Sequence, residues 1–182
     1  MKIDGRVRYT RMVIKESLLH LLAERPIQKI TVTDICKLAQ INRATFYTHY
    51  RDAFDLLEQI ENELFAEVSS MVMTEDKDPD RLTREIVRVI ERNVELCRIL
   101  FSENGDKMYL RRIIDSAREK TIADWHGQHP HATPQQLELL YTFITGGSVA
   151  MIEQWVRTGM QEPPLELGAL GKKVSEILLE AT

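Results

Sequence analysis

Residues 42–50 read NRATFYTHY, a run in which only Phe46 and Tyr50 suit a core. These two stand four apart, as do Arg43 and Tyr47, so a helix that buries the first pair turns the second pair outward. Arg43 can donate bidentately to guanine O6 and N7, and Thr45 can hydrogen-bond or meet a thymine methyl. Tyr47 and His49 have the reach and the donors for phosphate oxygens, contacts that fix position without reading sequence. Ala44 is small enough to let the backbone approach another surface closely, and Thr48 flanks it. The plainer alternative is a solvated helix whose polar side chains face water.

Two further groups of residues invite chemistry. WHGQHPH carries His126, His129 and His131, and imidazoles suit Zn, Cu or Ni. Their spacing lacks a helical i, i+4 register and no cysteine is near, so solvated loop histidines compete with a metal-responsive site, and no metal is assigned. Cys97, Phe101, Tyr109, Trp125, Phe143, Met151 and Trp155 could wall a pocket, or could be the ordinary core filling that apolar residues at helical spacing usually are. No Gly-rich phosphate cradle, no HExxH and no Ser, His and Asp set placed for catalysis occurs, which argues against an enzyme and calls for no cofactor.

The elements that must position these residues read as helices throughout. Apolar residues recur at 3.6-residue spacing and alternating runs are nearly absent, which predicts an all-α chain. The first helix is expected from about 8 to 24, with Ile14, Leu18, Leu21 and Leu22 as its stripe, and Pro26 ends it. Thr31 with Asp34 predicts a capping box for a second helix that turns Ile35, Leu38 and Ala39 inward, and Asn42 predicts the cap of a third over about 43–50. Two short helices joined by a tight turn form a helix-turn-helix. Asp52 can cap a long connecting helix over about 54–73, with Phe54, Leu57, Ile60, Leu64 and Val68 repeating along it. TEDKDPD then reads as a hinge, followed by helices near 80–103, 106–126, 134–158 and 165–180. The domain expectation is a head over 1–53 and a helical body over 54–182.

Charge is divided the same way. The chain of 182 residues has a formal charge of −4, yet residues 1–51 hold ten Lys or Arg against four acids, and the remainder holds 14 against 24. A basic head on an acidic body is the asymmetry of a nucleic-acid reader attached to something else. Two widely separated cysteines, Cys36 and Cys97, with no secretory signal and no apolar run near about 20 residues, predict a cytoplasmic chain without a membrane span.

ITVTDICKLAQINRATFYTHYRDAFDLLEQI, residues 30–60, resembles the DNA-binding head of TetR-family transcriptional regulators. The resemblance implies an all-helical homodimer with a helix-turn-helix head, a body that binds a small-molecule or protein effector, and a palindromic double-stranded operator. It places Thr31 and Thr33 at phosphates, Arg43, Ala44, Thr45 and Thr48 in the major groove, and Tyr47 and His49 on the backbone. Two positions depart from the family pattern: Gln40 replaces a turn glycine, costing on the order of 1 kcal/mol if φ stays positive, and Ala53 replaces a lysine expected to touch phosphate. YTFITGGSVAMIEQWVRTGMQEPPLEL, residues 141–167, is similar to the C-terminal domain of a Firmicutes-type subgroup that includes regulators of dihydroxyacetone kinase operons. The glycine pair Gly146-Gly147 costs a helix roughly 1 kcal/mol per residue, which close approach at a dimer seam would offset; a local kink is the other reading. The expected seam holds Leu140, Ile144, Gly147, Leu170, Val174 and Ile177. A repressor released by its effector is the leading expectation, with a coregulator acting through protein contacts, or a metal-responsive regulator, as alternatives.

Overall fold

Side-chain caps set the starts of four of the helices among the described residues. The computed structural model describes residues 5–72, 79–102 and 107–181. Its helices are α1 (Gly5–Glu24), α2 (Val32–Leu38), α3 (Arg43–Tyr47), α4 (Ala53–Val72), α5 (Pro79–Arg92), α6 (Val94–Leu100), α7 (Lys107–Gln128), α8 (Pro134–Arg157) and α9 (Pro164–Glu180), with a 3-10 turn at Ile27–Lys29. The described residues contain no strand, and the chain is all-α as its periodicity predicts. Internal contacts divide it into a first unit ending at Leu64 and a second built from Phe65–Phe101 and the chain after Asp106; α4 begins in the one and ends in the other.

In the first unit, α1 buries Ile14, Leu18, Leu21 and Leu22, the stripe expected of it, and extends back to Gly5. Pro26 sits in extended geometry and stops it. The Thr31 hydroxyl accepts from the Asp34 amide at 3.2 Å while Asp34 Oδ2 accepts from the Thr31 amide at 3.0 Å, completing the capping box. α2 buries Ile35 and Cys36, but Leu38 is 45% exposed and not inward-facing. Leu38 is the last residue of α2, where the chain leaves the helix through Gln40 at φ 54°. The Ile41 amide donates to the Cys36 carbonyl at 3.1 Å, so Gln40 fills the left-handed position of a Schellman turn that normally favours glycine.

Asn42 Oδ1 accepts from the Thr45 amide at 2.7 Å and caps α3, which ends at Tyr47, three residues short of the expected end, because Thr48 already takes the capping geometry. Asp52 caps α4 by accepting from the Asp55 amide at 2.8 Å. α4 turns Ala53, Leu56, Ile60 and Leu64 into the core and leaves Phe54 54% exposed. Ile60 and Leu64 are buried as expected, while the start of the stripe is shifted by one residue, with Ala53 and Leu56 buried in place of Phe54 and Leu57. The methyl group of Ala53 is therefore core, in place of the lysine of the family pattern.

In the second unit the single helix expected over 80–103 is two. Asn93 interrupts it: its side-chain amide donates to the Val89 carbonyl at 2.9 Å, in competition with the backbone ladder, and α6 restarts after it. α6 then buries Leu96, Cys97, Ile99 and Leu100. The breakers Asn104-Gly105 and most of TEDKDPD lie outside the described residues. Thr133 and Gln136 form a second capping box, with Pro134 at the first turn of α8. α7 and α8 are tied by the Tyr141 hydroxyl donating to the Ile114 carbonyl at 2.6 Å and by the Arg118–Glu138 ion pair. The core between α5, α6 and α8 centres on Ile90, Cys97, Trp155 and Val156. Gly146 and Gly147 lie within the uninterrupted span of α8, both exposed.

Candidate nucleic-acid interface and body cavity

The short α3 separates two functions on two sides. Phe46 has no exposed surface and packs against the Tyr50 ring, with centroids 5.7 Å apart. Arg11 Nε donates to the Tyr50 hydroxyl at 3.3 Å, fixing the end of this segment to α1. On the outer side Arg43, Ala44, Tyr47 and Thr48 are exposed, and Thr45 and His49 are half-buried. Arg43 donates to the Tyr47 hydroxyl at 3.2 Å, and this bond, first among its causes, raises the guanidinium pKa above its ordinary value. The Thr45 hydroxyl donates to Asn42 and the Thr48 hydroxyl donates to the Thr45 carbonyl, so each keeps a methyl group and an accepting lone pair for an outside partner. Thr33 is exposed in the first turn of α2, and the Thr31 hydroxyl is engaged by Asp34.

The body holds a cavity of about 530 Å³, within the range of small-molecule sites. Of the residues expected to wall a pocket, Trp125, Met151 and Trp155 line it. Cys97 and Phe101 belong instead to the core cluster that shares Ile90 and Trp155 with the cavity. Tyr109 is buried but is not in the wall, and Phe143 is 66% exposed and is not in it either. Burial pushes the Cys97 thiol up to about 12, which keeps it protonated and unreactive. The wall residues missed in the sequence come mostly from α5 and α9, with Gln128 of α7 and Ser148 and Ile152 of α8; for α5 the i, i+4 row Leu82, Ile86 and Ile90 was the available signal.

α8 and α9 each carry a second apolar side away from that cavity. On α8 the exposed row is Leu139 and Phe143 with Gly146, Gly147 and Ala150, while Leu140 and Ile144 are half-buried. On α9 it is Leu170, Val174 and Ile177. A Cβ built on Gly146 or Gly147 meets no atom within 4 Å, so nothing in the chain itself demands glycine there. Among the described residues no three His, Cys, Asp or Glu side chains gather to hold a metal; His126 lies in the last turn of α7, and His129 and His131 follow the helix in the loop. No helix of the described residues is long and apolar enough to cross a membrane.

A helix-turn-helix unit followed by a second helical unit defines a class, and comparison with known proteins agrees. Residues 77–175 match a family profile, TetR_C_8, described as a transcriptional regulator C-terminal region. The chain belongs to this family of TetR-type transcriptional regulators. An uncharacterized HTH-type transcriptional regulator of Bacillus subtilis (strain 168), YxbF, is 40% identical over 47 residues, 26% of this chain; the match spans 12% of that relative's length. Among solved structures, the dihydroxyacetone kinase operon activator DhaS superposes with a TM-score of 0.65 over 94% of this chain and 97% of its own, at 17% identity. The fatty acid degradation regulator FadR from Bacillus halodurans gives 0.62 over 98% and 97%, also at 17% identity. A tetR-family regulator from Streptomyces coelicolor gives 0.65 over 92% and 81%, at 16% identity. At such identities the likeness is one of fold.

Proposed function

We propose that this regulator is a homodimeric repressor that reads a roughly palindromic operator with the outer side of α3 and releases it when an effector fills the body cavity. The observation that carries the reading is the two-sidedness of α3: Phe46 and Tyr50 are buried while Arg43, Ala44, Tyr47 and Thr48 stand exposed in the most basic part of the chain. Arg43 and Thr45 supply base-edge contacts, Ala44 and Thr48 allow close approach, and Thr31, Thr33, Tyr47 and His49 hold phosphates. Two such helices one DNA turn apart, about 34–36 Å, match a two-fold operator.

The exposed rows of α8 and α9 support self-association: Leu139, Phe143, Leu170, Val174 and Ile177 are large apolar side chains left in water, and the adjacent glycines would let a partner helix approach closely. α4 is continuous from the head unit into the body unit and carries the effector's bias to the heads. A coupling of about 1–3 kcal/mol suffices for a working switch.

The test is fluorescence anisotropy on DNA from the gene's own promoter and on random DNA at two salt concentrations. Arg43→Ala is expected to lose about 1–3 kcal/mol of promoter affinity while retaining weak salt-dependent binding to both DNAs. A variant that still discriminates promoter from random DNA as the parent does would remove Arg43 as a base reader. Absence of DNA binding by the parent would favour a coregulator acting through protein contacts.

A further inference from the structure

Arg11 is one of the cations that make the head basic, and a half-exposed arginine beside a reading helix has the chemistry of a phosphate ligand. Its guanidinium is engaged within the head instead. Nε donates to the Tyr50 hydroxyl at 3.3 Å and Nη2 donates to Glu63 Oε1 at 3.2 Å, so one planar group joins α1, the end of the α3 segment and α4. Lys15, four residues further along α1, stands 3.9 Å from the other oxygen of the Glu63 carboxylate. All four residues lie in the first unit, and Glu63 comes one residue before its end at Leu64, where α4 passes on into the second.

The Tyr50 end of this tie reaches the reading helix itself. The Tyr50 ring is buried against Phe46, with centroids 5.7 Å apart, and Phe46 is the fully buried anchor of α3. The His49 and Tyr50 amides both donate to the Phe46 carbonyl, at 2.9 and 3.0 Å, so a shift of the phenol is passed to the last turn of α3. Arginine suits this place because its donors lie in one rigid plane and hold phenol and carboxylate at a fixed separation, whereas lysine offers a single flexible ammonium.

We infer that Arg11 is a positioning residue for operator recognition: by holding Tyr50 and Glu63 together it sets how the reading side of α3 lies on α4, and it does not serve as a phosphate contact. The inference rests on the reading of α3 as the base-reading helix and adds the residues that orient it.

Variants of the full-length protein separate the two roles. Arg11→Lys keeps the charge but cannot hold both partners in the same plane, Tyr50→Phe removes only the hydroxyl, Glu63→Ala removes the acceptor, and Arg11→Met removes the cation. Binding to promoter and random DNA is measured by fluorescence anisotropy across a salt series, with amide exchange at His49 and Tyr50 followed on the same samples. The Arg11 and Glu63 side chains are 38% and 56% exposed, so breaking the tie changes affinity by a modest factor. Arg11→Lys, Tyr50→Phe and Glu63→Ala are each expected to lose about fivefold in promoter affinity at unchanged salt slope, with random-DNA affinity retained, and to speed exchange at both amides by a similar factor. Glu63→Ala is the sharpest of these, since removing an acid from a DNA-binding head tightens binding if charge alone acts.

An Arg11→Lys variant that matches the parent, beside an Arg11→Met variant that weakens both DNAs and shallows the salt slope by about one unit per head, makes Arg11 a phosphate ligand and overturns the inference. Proportional loss on both DNAs in every variant reports a smaller folded fraction and overturns it too, as does unchanged exchange in Arg11→Lys, Tyr50→Phe and Glu63→Ala. A parent that does not discriminate promoter from random DNA, with exchange still responding, keeps the tie and refutes the base-reading role of α3. A discriminating parent whose variants behave as it does refutes the tie and leaves the base-reading role standing.

Discussion

The head and the body use apolar surface in opposite ways. In the head α3 has one buried side, centred on Phe46, and its outer side chains are held by hydrogen bonds within the head: Arg43 to Tyr47, Thr45 to Asn42, Thr48 to the backbone. In the body α8 and α9 each have two apolar sides, one lining the cavity and the other exposed. At 100° per residue, Ser148, Met151 and Trp155 lie roughly opposite Leu139, Phe143 and Ala150 around α8, and Gly171, Ser175 and Leu179 lie roughly opposite Leu170, Val174 and Ile177 around α9. The head is complete as a packed object and presents polar chemistry. The body leaves a hollow and an uncovered apolar face on the same pair of helices.

The difference is open to attack at its strongest point first. Phe46→Ala removes a fully buried ring and is expected to cost about 3–5 kcal/mol, seen as lost hydrogen-exchange protection across α1, α2 and α3; Phe143→Ala, exposed, is expected to leave protection unchanged in dilute monomer. A head that tolerates Phe46→Ala would not be the self-sufficient core described. Next, Phe143→Asp combined with Leu170→Asp is expected to weaken self-association by about 2–4 kcal/mol with helix content intact, read by sedimentation velocity across a concentration series. A dimer that survives both changes would need its seam elsewhere.

Two left-handed residues sharpen the contrast by about 0.5–1 kcal/mol on the head side. Gln40 and Met160 have φ of 54° and 57°, but Gln40 is exposed whereas Met160 packs on the Trp155 and Val156 cluster. Gln40→Gly is therefore expected to raise the urea midpoint and Met160→Gly to lower it, since the second loses packing that outweighs the relieved strain. The smallest effect concerns acid. The Asp34 carboxylate is held below its usual pKa first by the Thr31 amide and then by the Thr31 hydroxyl, and Asp55 is held low first by the Arg51 amide. A folded pKa below the unfolded one, about 3.9, gives stability that is present above the unfolded value and lost as pH falls through the folded one. The capping box of α8 uses Gln136, which does not titrate. Lowering pH from 5 to 3 is thus expected to fray the start of α2 before that of α8, and Asp34→Asn should flatten the difference in amide exchange.

The same contrast decides what could be read from the sequence. Head features legible in advance are local ones: Thr31 with Asp34, Asn42 as a cap, Pro26 as a stop, and Phe46 with Tyr50 as the anchoring pair, each set by residues within four positions of one another. The exposure of Leu38 and Phe54 was not legible, because it depends on where a helix ends or on how a cap rotates it. In the body the break at Asn93 was hidden, since asparagine sits in many helices and only its bond to Val89 shows that it ends one here. The box at Thr133 and Gln136 is written in the sequence as T-P-Q-Q, a threonine three residues before a glutamine. Cavity wall, core and outer face on α8 and α9 are all apolar at helical spacing, so periodicity alone cannot apportion them. Trp125, Met151 and Trp155 fell in the wall and Phe143 on the outside for reasons of tertiary packing.

The bond between Arg43 and Tyr47 bears on entropy. A free arginine side chain holds about 2 kcal/mol of rotamer freedom that any partner must suppress. Here the guanidinium is tethered to the phenol one turn away and lies 5.9 Å from the centre of its ring, so part of that freedom is surrendered when the head folds. Whatever Arg43 meets, it meets with fewer conformations left to lose, because the bond to Tyr47 has already narrowed its search.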